Sequence, residues 1–173
     1  MSEVPEGVDL SGFVRKPPRP TATMTLTRDG PNGPEVLLGL RSETMAAFPG
    51  YWAFTGGGVS RVDTAAVESF SVLDVEHGKF IACILRETCE ELGVAPNGDH
   101  VISIDENARF DVIKDKANWL PHAEDCNIPV NTDNINILGH RITPPFGPVQ
   151  FDNAFIHFHC GDSVSYTHLR AHE

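Results

Sequence analysis

Arg86-Glu87-Thr88-Cys89-Glu90-Glu91-Leu92-Gly93-Val94 is the stretch on which the reading of this chain turns. Its glutamates and arginine fall within two helical turns, and Gly93 stands where such a helix would stop. At 3.6 residues per turn, Glu87 lies one turn from both Glu90 and Glu91, and Arg86 one turn from Glu90. Carboxylates at that spacing repel each other, so helix propensity offers no reason to gather them. A hard divalent cation does, because Mg²⁺ takes oxygen ligands and is commonly held by carboxylates together with substrate phosphates. The stretch reads as a metal-binding catalytic helix, although a Glu-rich face before a glycine is also a common form of solvated surface.

Working outward, the run Phe54-Thr55-Gly56-Gly57-Gly58-Val59 follows an apolar, strand-like segment. Glycine tolerates positive φ and close backbone approach, and successive free N–H groups can cradle phosphate oxygens. A glycine loop feeding an acidic helix is the outline of a phosphate-plus-metal site.

The combination resembles the Nudix hydrolase family, whose signature is G-x5-E-x7-R-E-U-x-E-E-x-G-U with U aliphatic. Counting from Gly57, the first acid falls at Asp63, and the second half matches at Arg86, Glu87, Glu90, Glu91, Gly93 and Val94, with Thr88 in an aliphatic position. Seven residues after Asp63 the arginine would stand at 71, so the box carries an insertion of fifteen residues. An insertion inside the box is similar to that of the coenzyme A diphosphatase-like branch. That branch also has an upstream pattern with which Leu37, Leu38, Arg41, Ser42, Gly50, Phe54, Gly56 and Gly57 fall in register. Gly39, Ala46 and Thr55 depart from it. The loss of a second arginine at Ala46 removes a cation from a phosphate-rich ligand. Val36, Leu37, Leu38 and Leu40 can equally be a buried strand, with Phe54 a core aromatic. Arg141-Ile142-Thr143-Pro144-Pro145 and Gln150 to Ile156 resemble a further segment of the branch.

The resemblance implies an α/β (α+β) fold, a Nudix-type α/β/α sandwich around a mixed sheet. It also implies metal-dependent hydrolysis of a phosphoanhydride in a nucleoside diphosphate-linked substrate, leaning to coenzyme A or acyl-coenzyme A. The alternatives are an ADP-ribose, dinucleotide or nucleoside triphosphate pyrophosphatase, or a noncatalytic nucleotide-binding module. Glu87, Arg86, Glu90 and Glu91 are the implied catalytic residues. Glu87, Glu90, Glu91 and the Gly57 carbonyl would hold Mg²⁺ or Mn²⁺. Arg41, Ser42, Gly50, Gly56, Gly57 and Gly58 would bind substrate. Glu87 is the candidate base, with Glu106, Glu124 and Asp125 as loop carboxylates that could replace it.

A length of 173 residues suits one domain with a real core. The net charge of −11 argues against nucleic acid or an acidic membrane as partner, and the resemblance implies a small nucleoside diphosphate derivative instead. An anionic substrate then needs a cation to invert the local field. No apolar run is long enough to span a bilayer, and no signal peptide is evident at the N-terminus. The expected location is cytoplasmic, or a peroxisome or mitochondrion in a eukaryote. Cys83, Cys89, Cys126 and Cys160 show neither a CxxC pair nor zinc spacing and read as reduced structural thiols.

Residues 1–20 form a Pro-rich lead-in, 21–162 the domain, and 163–173 a non-native tail that resembles a translated sequencing adapter, which implies truncation at the C-terminus. Strands are predicted at Ala22–Thr27, Glu35–Leu40, Tyr51–Thr55, 101–104, Ile135–Ile142 and Phe151–His159. Dense turn chemistry occupies 28–34. Thr64 would cap a short helix to Phe70, His77-Gly78 would break the chain, and the main helix would run from Lys79 to Leu92. Its apolar stripe is Phe80, Ile81, Ile84, Leu85 and Leu92. Residues 106–120 carry a weak helical pattern.

Overall fold

Alternation in the first strand sets the inside and outside of the molecule. In β1 (Arg19–Gly30), Ala22, Met24 and Leu26 are buried while the intervening threonines are half-buried. In β9 (Phe151–His159) the same period buries Ala154, Ile156 and Phe158. The two pair in parallel from Arg19 opposite Phe151 to Thr27 opposite His159, so both apolar sets share one face. This computed structural model describes residues 17–45, 48–67, 75–115, 132–144 and 150–161, with Glu6, Gly7, Trp119, Ala123, Asp125 and Ile128 besides.

The remaining partners are antiparallel, which makes the sheet mixed. β2 (Gly33–Val36) and β5 (Thr55–Gly58) both pair with β1, at its end and its beginning. β8 (Asn136–Ile142) lies outside β9, with a register shift between Ile137 and Gly139. Two small ladders complete the β-structure: β3 (Gly39–Leu40) with β4 (Trp52–Ala53), and β6 (Val94–Asn97) with β7 (His100–Ser103).

α2 (Val75–Leu92) lies on the apolar face of the sheet, against β1 and β5. Phe80, Ile81, Ile84, Leu85 and Leu92 are all buried there, as their spacing predicts. α1 (Arg61–Ala66) and α3 (Glu106–Lys114) pack on α2. Among the described residues, no helical layer covers the opposite face. Cys83, Cys89 and Cys160 are buried free thiols, whereas Cys126 lies outside the described residues, as do Ala46, Glu124 and 163–173.

Several expectations need correction. The glycine run is a strand, not a loop: Gly56, Gly57 and Gly58 pair with Thr23, Ala22 and Thr21. A β-strand without side chains lets the helix come close, which propensity does not register. α1 begins at Ser60, whose side chain accepts from Asp63 N–H while Asp63 reaches back to the Ser60 N–H, a capping box that outcompetes Thr64. His77-Gly78 does not break α2, which starts earlier, at Val75. The second strand is interrupted after Val36. Val36, Leu38, Leu40 and Phe54 are exposed, so that segment is not the buried strand and core aromatic that its composition allows.

Candidate active site

Arg86 organises the last turns of α2. It is 3% exposed, and such a guanidinium needs partners for its donors. Nε and Nη2 donate to the two carboxylate oxygens of Asp63 at 2.8 and 2.9 Å, a bidentate grip. Nη1 donates to Glu87 Oε1 at 2.9 Å and Glu90 Oε1 at 3.0 Å, and Nη2 also to the Gly58 carbonyl at 3.4 Å. Burial works to lower the Arg86 pKa, but the hydrogen bonds and charge of Asp63, with Glu87 and Glu90 behind them, leave it raised. The cation is permanent.

Asp63 holds Arg86 while completing the α1 cap, accepting from Ser60 N–H and Oγ at 2.8 Å. It is fully buried. Asp63 is not among the site residues expected from sequence, although its place as the first acid of the box, six residues beyond Gly57, is the signal that marks it. The insertion leaves the Asp63–Arg86 contact intact because the two ends of the box meet through α1 packing on α2.

The strand glycines make room for the glutamates. A Cβ on Gly57 would overlap the Glu87 carboxylate, and one on Gly56 would strike the Ala22 carbonyl oxygen. Gly56 N–H donates to Glu91 Oε2 at 3.2 Å. Burial above all, then the charge of Glu87, pushes the Glu91 carboxyl up to about 7, against the opposing pull of the Gly56 hydrogen bond and of Arg41. Cys83 sits beneath the site with its thiol 3.8 Å from the Gly57 carbonyl. Burial, followed by the charge of Asp63, pushes that thiol up, so it stays neutral.

A cavity of about 250 Å³ opens beside Glu91, lined by Arg41, Ser42, Met45 and Phe54 among others. Of the residues expected to bind substrate, Arg41 and Ser42 line it. Gly50 instead supports the Arg41 segment, donating to the Arg41 carbonyl at 3.2 Å. Gly56, Gly57 and Gly58 are paired with β1 and are not among the residues lining the cavity, and Gly56 N–H is directed at Glu91. Glu106 is exposed on the first turn of α3, and Asp125 is exposed.

The fold and this geometry can be set beside known structures. The crystal structure of a NUDIX hydrolase from Alicyclobacillus acidocaldarius superposes with a TM-score of 0.75 at 25% identity, covering 92% of this chain and 76% of that one. The chain has the Nudix hydrolase fold. Nudix hydrolases, with which the chain shares this fold, act on acid anhydrides. Looser similarity extends to a MutT/nudix family protein from Enterococcus faecalis (TM-score 0.46, 19% identity, 91% of this chain and 43% of that one). It extends also to the NUDIX domain of Shewanella oneidensis NrtR, complexed with ADP ribose (TM-score 0.48, 13% identity, 91% and 70%). No family model and no curated protein matches the sequence.

Nudix hydrolases generally use divalent metals, and the donors present fit one chemically: three carboxylates with hard oxygens, one of them, Glu91, disfavoured in its charged form by burial first and by Glu87 second. Among the described residues, however, no three Asp, Glu, His or Cys side chains already form a metal-binding group, since Glu87 and Glu90 turn toward Arg86.

Proposed function

We propose that this chain hydrolyses a phosphoanhydride in a nucleoside diphosphate-linked substrate, with a divalent cation held by Glu87, Glu90 and Glu91. The observation that carries this reading is the packing of an Arg86-centred carboxylate cluster against glycine backbone, with Glu91 at the wall of a cavity that Arg41 also lines. When bound, Mg²⁺ or Mn²⁺ supplies Lewis acidity at the phosphoryl group and offsets charge on the leaving phosphate.

The side chains divide the remaining tasks. Glu87, oriented by the Arg86 Nη1 hydrogen bond, accepts a proton from the attacking water. Asp63 holds the guanidinium so that Glu87 and Glu90 are presented together. Arg41 pairs with substrate phosphate, and Ser42 donates a hydroxyl beside it. The pairing of cationic Arg41 with exposed Leu40, Met45 and Phe54 suits a ligand with an anionic diphosphate and an apolar arm, which favours coenzyme A or acyl-coenzyme A. The cytoplasm is the proposed location.

The test is a turnover panel of coenzyme A, an acyl-coenzyme A, ADP-ribose and NADH with Mn²⁺. Release of adenosine 3′,5′-bisphosphate is the expected result. Turnover of ADP-ribose alone would reject the coenzyme A reading while keeping the hydrolase. Ligand binding without turnover of any anhydride would make the chain a noncatalytic nucleotide-binding module.

A further inference from the structure

α2 ends badly by its own sequence. Glu87, Glu90 and Glu91 crowd its C-terminal turns, where the helix dipole is already negative, and no basic residue stands in the last turn. The terminal carbonyls also lack partners within the helix. Cys89 O receives the Gly93 N–H at 3.0 Å, with Gly93 at φ +64°. The next two carbonyls are met from another element. Arg109, on α3, donates from Nε to Glu90 O at 3.0 Å and from Nη2 to the same oxygen at 2.5 Å, and Nη2 also reaches Glu91 O at 3.4 Å.

The clamp is built into the packing. A Cβ on Gly93 would come within 3.3 Å of Arg109 Cδ, so the glycine gives the arginine stem its passage over the helix end. α3 is itself fastened by its Asp105 cap, which accepts from Asn107 N–H at 2.9 Å and Ala108 N–H at 3.3 Å, and by buried Ala108 and Val112. Arg86 neutralises the cluster at its side chains, whereas Arg109 acts only on the backbone beneath them.

We infer that Arg109 is a positioning residue: by holding the Glu90 and Glu91 carbonyls it keeps the final turn of α2 helical and so keeps these two carboxylates aimed at the cation site. The inference rests on the hydrolase reading for its chemistry. Without the clamp, the last turn relaxes from dipole and like-charge repulsion, Glu91 leaves the Gly56 N–H, and the ligand set loses its preorganisation.

The experiment measures Mn²⁺ affinity directly by titration, and kcat and KM on the best substrate of the panel, in wild type, Arg109→Ala, Arg109→Lys and Val112→Ala. Val112 is buried on the same helix and touches no carbonyl of α2 in this network, so its truncation controls for lost stability. Arg109→Ala is expected to weaken Mn²⁺ binding by about tenfold or more, the usual effect of removing a group that orients ligands. kcat should fall with KM little changed. Arg109→Lys should recover most of both, and Val112→Ala should leave Mn²⁺ affinity near wild type. Arg109→Ala binding Mn²⁺ like wild type, or no more weakly than Val112→Ala, overturns the clamp and leaves the hydrolase reading standing. Wild type that binds Mn²⁺ but cleaves nothing, with affinity still lost in Arg109→Ala, removes the hydrolase reading and keeps the clamp. Wild type without affinity for Mn²⁺ overturns the clamp as stated.

Discussion

Replacing Glu91 with glutamine should stabilise the metal-free protein while disabling it. Glutamine keeps a carbonyl oxygen for the Gly56 N–H and nearly the same volume, and removes only the charge that burial and Glu87 disfavour. The folded-state pKa is raised, from an ordinary 4.5 to about 7, so the folded protein binds this proton more tightly than the unfolded chain does. The stabilising contribution of that proton is fully present below 4.5, falls as pH rises, and is gone above about 7. The penalty that Glu91→Gln relieves is therefore about 1 kcal/mol at pH 5 and about 3 kcal/mol at pH 8, as an upper figure for a partly solvated group. For a chain of this length, that is roughly 6–12 °C in Tm at pH 8. The assay is thermal unfolding of wild type and variant in chelator at both pH values, then with Mn²⁺. Metal should raise the wild-type Tm and leave Glu91→Gln nearly unmoved. Equal melting at pH 8, or a gap that fails to narrow at pH 5, would refute the reasoning.

Other perturbations separate the roles of the neighbouring groups. Glu87→Gln should reduce turnover by at least a hundredfold with the fold unchanged by circular dichroism, in line with the loss of a positioned base; a near-normal rate rejects that assignment. Asp63→Asn removes the charged half of a buried bidentate pair and should cost about 3 kcal/mol, read from the denaturation midpoint, while a neutral effect would mean that Arg86 is held by Glu87 and Glu90 alone. Gly57→Ala puts a methyl where the Glu87 carboxylate lies, so activity should fall far more than stability; full activity would show that Glu87 works from elsewhere.

The Arg86–Val94 stretch carried its reading because helical period alone converts spacing into proximity. Glu87, Glu90 and Arg86 had to be neighbours once that segment was a helix, and the apolar residues at Phe80, Ile81, Ile84 and Leu85 made it one. The strands at Ala22–Thr27 and Phe151–His159 were legible for the same reason, through their period of two. What the sequence could not express is pairing across distance. The parallel register of β1 with β9 and the conversion of three glycines into a strand come from tertiary contacts, as does the placement of Arg41 near Glu91. Asp63 joins Arg86 across an insertion, and Arg109 closes the helix from nineteen residues beyond Glu90, because chain folding, not local periodicity, brings them there. Local geometry thus determined which carboxylates would stand together, and only the packed structure decided which cations and backbone groups would hold them.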